Sequence, residues 1–244
     1  MAALALASVA GASKAQNNNE EPFNEASVFL ELNDTDGDLG LQAFIDGEPW
    51  KRLEIEGPND KPIFQVRVSR NLAQQGLNEI FFESAEPGFD ELPPDEFLAR
   101  FPEGTYEASA KKLGGGELEN DVQITHLLPA APSNLAANGQ QTPLDCEVEA
   151  PPNVGTPVTI SWDAVTLSHP TIGRINEPID VDHYEVTVEI EDLSNAVFTI
   201  ELGPDQTSVD VPGQLLALAD EFKLGVLVEE ASGNRTVIES CFAK

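Results

Sequence analysis

Basic residues are scarce in this chain of 244 residues. It contains 13 Lys and Arg against 43 Asp and Glu, which gives a formal net charge of −30. The deficit extends over both halves of the sequence when it is divided at Pro129. Nucleic acids and anionic membrane surfaces are recognised through clustered Lys and Arg, so neither is expected as a partner. An acidic surface suits solubility, cation binding or a salty environment.

Cysteine, histidine and long apolar runs are also rare. The two cysteines and three histidines show none of the spacings of a structural zinc site. Beyond the first residues, no stretch is long and apolar enough to predict a membrane-spanning helix. The sequence also has no nucleophile elbow, phosphate-binding loop, zinc-protease helix or dinucleotide fingerprint. An enzyme built on one of these motifs is therefore excluded.

The first residues, MAALALASVAGASKAQ, are typical of an export signal. A short run of Ala, Leu and Val ends in Ser13-Lys14-Ala15, which has small residues at positions −3 and −1 of a signal-peptidase site. We predict a signal peptide over 1–15, followed by a flexible leader over 16–25, and a secreted or cell-surface protein. The usual basic residues after Met1 are missing. Two alternatives stay open, namely a start site further upstream or a disordered Ala-rich tail.

Short apolar runs separated by turn residues predict an all-β protein from Ala26 onward. Leu53 and Ile55 alternate with charged residues in RLEIE, and the same alternation recurs in IFQVRV, as expected for strands with one buried face. ELPPDEFLARFPEG is the exception. Its prolines at the start and hydrophobic residues at helical spacing predict one short helix in the first half of the chain.

The stretch LLPAAPSNLAANGQQTP predicts a connector between two domains. We place the boundary near Pro129, with a β-sandwich-like domain over 26–129 and a second domain over 130–244. In the second domain, TPVTISWDAV, VDHYEVTVEIED and KLGVLVEEASGN again alternate between apolar and polar residues. About seven such short strands predict a β-sandwich with Greek-key order.

The second domain resembles a fibronectin type III domain. The resemblance rests on Pro132, on Trp162-Asp163-Ala164 at the end of the second strand, on Tyr184 in the third, and on Ala231-Ser232-Gly233-Asn234 before the last. It departs at the inserted LDCEVEAPPNVG and at Phe222, which replaces a tyrosine that makes a corner hydrogen bond in the family. The family implies a spacer, adhesion or recognition module without catalytic residues.

The first half is similar to segments of uncharacterised exported bacterial proteins, in TDGDLGLQAFIDGEPWKRLEI and FLARFPEGTY. This similarity implies export and a modular organisation. It brings no activity with it.

The two cysteines predict one disulfide if the protein is exported. Cys146 lies in the insertion and Cys241 in the last strand, and the first and last strands of such a sandwich lie near each other. A bridge between them closes a loop of about 95 residues, which the chain-entropy relation values at about 4–5 kcal/mol.

The stretch NDTDGDLG sets three carboxylates at alternate positions: Asp34, Asp36 and Asp38. An EF-hand loop that began in this way would need glycine where Leu39 stands and glutamate where Ile45 stands. The Asp-Gly pair between two apolar runs predicts a β-hairpin turn instead. The two interpretations are compatible, since a hairpin tip with three carboxylates can hold Ca²⁺ with the help of backbone carbonyls. No other cofactor is expected.

Trp50 follows a turn and is flanked by Lys51 and Arg52. An exposed tryptophan can stack on a sugar ring, whereas a tryptophan that begins a strand usually belongs to the core. The leading hypothesis is a non-enzymatic extracellular interaction or structural module that binds another protein or itself. The alternatives are a carbohydrate-binding accessory protein that uses Trp50, and a secreted enzyme. No acidic pair stands out among the 43 acids as catalytic.

Overall fold

We describe a computed structural model over residues 20–190, 193 and 195–244. The predicted signal peptide, 1–15, and the first residues of the predicted leader lie outside this part of the chain. Within it, no helix is both long enough and apolar enough to cross a membrane. The fold is all-β, as predicted.

The first domain has seven strands and two short helices. They are β1 (Glu20–Glu21), β2 (Glu25–Asn33), β3 (Asp38–Glu56), β4 (Pro62–Arg67), α1 (Leu72–Gln75), β5 (Leu77–Glu83), α2 (Pro94–Arg100), β6 (Gly104–Lys112) and β7 (Glu117–Ile124).

Strand β3 organises this domain because it is 19 residues long and bends once. Its first half pairs with β2 along one edge and with β5 along the other. Pairing becomes irregular between Asp46 and Trp50, and the second half then pairs with β4 and β6. Leu53 and Ile55 are fully buried, as their alternation predicts. The two halves of this one strand therefore have different partners on either side of the irregularity.

The prediction of a flexible leader over 16–25 is wrong for its described part, 20–25, which is paired and packed; 16–19 lie outside the described residues. Glu20 and Glu21 pair in parallel with the start of β7. Phe23 is buried in the core, and its backbone N–H donates a 2.8 Å hydrogen bond to Asn120 Oδ1. Because QNNNEEPFNE is otherwise polar, its sequence pattern did not indicate that Phe23 is buried. Side-chain burial against β7 outweighs the tendency of the flanking residues to stay solvated.

In its described residues, the second domain contains eight strands and one helical turn. They are β8 (Ser133–Ala137), β9 (Gln140–Gln141), β10 (Thr159–Asp163), β11 (Val181–Glu189), β12 (Val197–Leu202), β13 (Ser208–Asp210), α3 (Gly213–Leu216), β14 (Glu221–Glu230) and β15 (Arg235–Ala243).

These strands build two sheets over one core. Strand β10 pairs with β8 and β13 in the smaller sheet, while the larger one has the order β12-β11-β14-β15. Tyr184, Val186 and Val188 on β11 are fully buried, as are the apolar residues that face them from β14. The resemblance to a fibronectin type III domain therefore holds at the level of architecture. Phe222, at the departure from the family, stacks on Phe242 with ring centroids 5.1 Å apart.

The predicted helix is present as α2, which begins after Pro93 and buries Phe97 and Leu98. The single-turn helices α1 and α3 were not predicted. Each has four residues, too few for a helical pattern of apolar residues to be recognised in the sequence.

The buried side chains form two clusters. One runs from Phe23 to Leu128 and the other from Leu135 to Phe242. Ile172 belongs to the second domain by sequence but packs in the first cluster. Ile172 therefore brings one loop of the second domain into the first core, and a domain boundary near Pro129 stays a prediction.

Candidate functional site at the domain junction

The two domains share one hydrogen-bonded sheet. Strand β15 of the second domain pairs in parallel with β2 of the first, and Arg235, Thr236 and Val237 lie opposite Glu31, Leu32 and Asn33. Eleven strands are thereby joined across the boundary. The pairing continues into the β2–β3 turn, where the backbone N–H of Asp34 donates to the carbonyl of Val237 at 3.0 Å.

Asn234 anchors the start of this pairing. Its side chain is 1% exposed. Its Oδ1 accepts a 2.9 Å hydrogen bond from the backbone N–H of Leu30 on β2. Its Nδ2 donates to the backbone carbonyls of Thr125 at 2.9 Å and Leu127 at 3.3 Å. One buried amide thus satisfies three backbone groups of the first domain and its connector, which fixes the position of β15 against β2.

The neighbouring hydroxyls extend this network along the connector. Thr236 is fully buried and donates a 2.7 Å hydrogen bond to the carbonyl of Pro129. The hydroxyls of Thr125 and Ser232 lie 3.0 Å apart. The connector is therefore held by side chains of the β14–β15 turn and of the first residues of β15.

A loop between β10 and β11 makes a second contact with the first domain. His169 is buried there, and its backbone N–H donates to the carbonyl of Leu128 at 2.7 Å. Its Nδ1 accepts from the backbone N–H of Ile172 at 3.0 Å, so the ring proton lies on Nε2, which is 3.2 Å from Asp34 Oδ1. This bond ties the β2–β3 hairpin to the second domain.

Gly173 allows the same loop to approach closely. Its φ is +67°, and a Cβ at this position would lie 2.1 Å from the carbonyl oxygen of His126. The next residue, Arg174, pairs with Glu103 at 2.8 Å, and Glu103 also accepts from the backbone N–H of His126. Burial acts to raise the pKa of Glu103, but these hydrogen bonds outweigh it and lower the pKa.

An acidic cavity of about 260 Å³ lies over the shared sheet at the junction. Its floor is formed by β2, β15, β14 and β11, where Gly225 leaves room because it has no side chain. Carboxylates from both domains line it: Glu31, Asp38, Glu86, Glu185 and Glu239. Such a concentration of like charge in a partly enclosed space disfavours ionisation of its members.

Glu86 shows this effect most strongly. Its side chain lies over Gly40, where a Cβ would meet the carboxylate within 1.9 Å. Burial raises the pKa of Glu86 to about 8, assisted by a hydrogen bond with Glu83 and by the negative charges of Glu83, Asp38 and Glu31. Burial likewise raises the pKa values of Glu31 and Asp38. The cavity therefore favours the protonated form of Glu86 at neutral pH.

The hairpin predicted from NDTDGDLG is present. Asn33 Oδ1 accepts from the backbone N–H groups of Thr35 and Asp36, and Gly37 takes a φ of +68°. The three aspartates point to different neighbours: Asp34 to His169, Asp36 to the Asn33 amide, and Asp38 into the cavity. In the described part of the chain, they do not form a three-residue group with metal-ligand spacing. Calcium binding by Asp34, Asp36 and Asp38 stays a prediction.

Trp50 does not form an exposed platform, so its prediction as a glycan ligand is wrong. The side chain is 0% exposed and lies in the first core, where its Nε1–H donates to the backbone carbonyl of Asn78 at 3.3 Å. Trp50 lies within β3, at the irregular pairing that begins after Asp46, and its side chain packs into the first core. The alternative interpretation, that this tryptophan belongs to the core, is correct.

The predicted disulfide between Cys146 and Cys241 is present, with Cα atoms 6.1 Å apart. It attaches the insertion to β15, the strand that also carries the junction. Val154 and Ala243 add two backbone hydrogen bonds, from Val154 N–H to Ala243 and from Ala243 N–H to Pro152. The insertion is thus held to the end of the chain.

Sequence reasoning missed the junction residues. Asn234 was noted only as part of a turn before the last strand, and Glu86 was not distinguished among the 43 acids. A glycine within each of two strand patterns, Gly40 and Gly225, was the available signal, because glycine inside a strand often marks a close approach.

No protein-family model matches the chain, and no curated protein is similar to it. Solved structures that match include the chicken CNTN1 FN1-FN3 domains, at 10% identity and a TM-score of 0.35, over 93% of this chain and 65% of that one. A bacterial ice-binding adhesin matches at 13% identity and a TM-score of 0.27, over 92% of this chain and 65% of the other.

The BSP domain of a biofilm associated protein matches at 13% identity and a TM-score of 0.27, over 94% of this chain and 31% of that one. This chain therefore spans less than two thirds of each of the three.

Proposed function

We propose that this chain is a non-catalytic extracellular interaction module in which two β domains act as one rigid unit. The observation that carries the proposal is the junction, where β2 and β15 pair and the buried Asn234 amide satisfies three backbone groups of the first domain and its connector. Domains joined by a mobile linker move relative to each other by default. A sheet that continues across the boundary removes that freedom, which suits a spacer or a load-bearing module.

Residual dipolar couplings test the rigid unit. The expected result is that couplings from the two domains fit one common alignment tensor with the described domain orientation. Separate tensors of different magnitude would mean that the domains reorient independently, and would overturn the proposal.

We place the interaction surface at the open edges of the shared sheet. Within the described residues, β5 pairs only with β3 and β12 only with β11, so each leaves one edge free. Their sequences, LNEIFFE and VFTIEL, lack the proline and lysine that commonly protect exposed edges. The partner is a second copy of the chain or an extended segment of another extracellular protein, added as a further strand.

Sedimentation velocity over a wide concentration range tests self-association at β12. Thr199→Lys places a charge on the edge strand β12. Thr187→Lys is the matched control, because Thr187 lies opposite Thr199 on the neighbouring strand β11, with the two hydroxyls 3.3 Å apart. We expect association that Thr199→Lys weakens more than Thr187→Lys does. A monomer at every concentration would reject self-association and leave the rigid unit standing.

The disulfide supports an extracellular location, because such bonds persist in oxidising compartments. Fusion of residues 1–25 to a reporter that is active only after export tests this proposal. Reporter activity is expected, and a fusion that accumulates inside the cell without reporter activity would contradict it.

A further inference from the structure

His183 lies with two carboxylates at one position on the sheet of the second domain. One ligand atom from each of Asp182, His183 and Glu229 lies within 4.8 Å of the others. Consecutive residues of a regular strand point to opposite faces. Here the pairing of β11 with β14 shifts between Val181 and His183, and this bulge allows Asp182 and His183 to share one side.

The imidazole is oriented by its neighbour. Asp182 Oδ2 lies 2.9 Å from His183 Nδ1, and an ionised carboxylate can only accept a hydrogen bond, so the ring proton of the neutral imidazole is on Nδ1. The lone pair of Nε2 then faces Glu229 Oε2 across 4.0 Å. Two acceptors face each other over a gap that a cation would fill.

We propose that His183 Nε2 and Glu229 Oε2 bind a divalent first-row transition ion such as Zn²⁺, with Asp182 as the residue that positions the imidazole. Bonds from zinc to imidazole nitrogen and carboxylate oxygen are each about 2.0–2.2 Å, and at a tetrahedral angle they place the two atoms about 3.3–3.6 Å apart. A small approach of the Glu229 side chain across the 4.0 Å gap therefore lets both atoms bind one ion. A carboxylate on the second ring nitrogen is the usual outer partner of a metal-binding histidine. Imidazole favours zinc, copper or nickel over calcium or magnesium.

Arg235 competes with this ion. Its Nε lies 2.5 Å from the same Glu229 Oε2, while its guanidinium carbon lies 4.2 Å from the centroid of the Phe29 ring. It also faces Glu31 across the β2–β15 pair. Arg235 therefore retains a stacking partner and a carboxylate when the ion takes Glu229. Removal of Arg235 should therefore strengthen metal binding. Ions that bind diffusely to an acidic surface would not respond in this way to the substitution of one residue.

Calorimetric titration of the full disulfide-bonded chain with Zn²⁺, in excess Mg²⁺ at neutral pH, tests the site. We expect a single ion per chain, with binding weakened at least about tenfold by His183→Gln and by Glu229→Gln, and less by Asp182→Asn. Arg235→Gln should bind more tightly. His126→Gln is the matched control, because His126 Nε2 already lies 2.8 Å from the Phe101 carbonyl, and it should bind as the unaltered chain does.

Nuclear magnetic resonance of the imidazole side chains locates the ion among the three histidines. The signals of His183 alone should move on addition of Zn²⁺. Equal movement of all three, or unchanged affinity in both His183→Gln and Glu229→Gln, would mean that ions bind diffusely to the acidic surface and would overturn the proposal. Circular dichroism of each variant confirms that the fold is retained.

Discussion

Replacement of Asn234 by alanine tests whether one buried amide holds the two domains together. The substitution removes the acceptor of the Leu30 N–H and the donor to the carbonyls of Thr125 and Leu127. A buried backbone group left without a partner costs about 1–3 kcal/mol, and a carbonyl with a second lone pair costs less than an N–H. We expect a loss of about 2–4 kcal/mol, or roughly 5–12 °C in Tm for a chain of this size.

Asn138→Gly is the matched control for this substitution. The Asn138 side chain also makes three hydrogen bonds to backbone groups, but all of them lie within the second domain. Its φ of +50° is accessible to glycine, so the control adds no backbone strain.

Calorimetry and residual dipolar couplings distinguish the two variants. Asn234→Ala should separate the single unfolding transition into two and give the domains different alignment tensors. Asn138→Gly should lower Tm while the domains stay coupled. The reasoning is refuted if Asn234→Ala loses less than about 1 kcal/mol, or if it lowers Tm but leaves one common tensor, since the junction would then be held by other contacts.

Three further predictions concern the disulfide, the cavity and the hairpin. Replacement of Cys146 and Cys241 by serine should cost about 4–5 kcal/mol by the chain-entropy relation for a separation of 95 residues, and an unchanged midpoint in denaturant would contradict it. Because the pKa of Glu86 is raised from 4.5 to about 8, the folded chain holds this proton more tightly than the unfolded chain does. The stability that this proton adds to the folded state is complete below pH 4.5 and is lost as pH rises to about 8, so Tm should fall over that range. Glu86→Gln should make this fall in Tm smaller. Equal falls in Tm for the variant and the unaltered chain would exclude Glu86 as the cause. Millimolar Ca²⁺ should raise Tm relative to chelator, and Asp38→Asn should abolish the rise; identical values in both buffers would leave the hairpin as a turn only.

The local elements were the most predictable part of the fold. The Asp36-Gly37 turn, helix α2 and the alternating strands each depend on residues close together in sequence, and the structure contains all of them. The disulfide was also predicted, because a sandwich brings its first and last strands together.

Features that depend on distant partners could not be predicted. Phe23 lies in a polar stretch and gains its burial from strands almost 100 residues away, as the hydrogen bond to Asn120 shows. Trp50 was considered both as core and as a platform, and only the bend of β3 decides between these positions. Glu86 and Asn234 carry no local signal that separates them from other polar turn residues.

The amino-acid sequence by itself determined that this is an acidic chain of strands with one buried face each, because composition and alternation are properties of neighbouring residues. The tertiary structure decided that the two domains share a sheet, that five carboxylates converge over it, and that Asn234 of the second domain satisfies three backbone groups of the first domain and its connector. Hydrogen bonds and charge repulsion between residues 100 to 200 positions apart depend on how the chain folds back on itself. No local pattern encodes that arrangement.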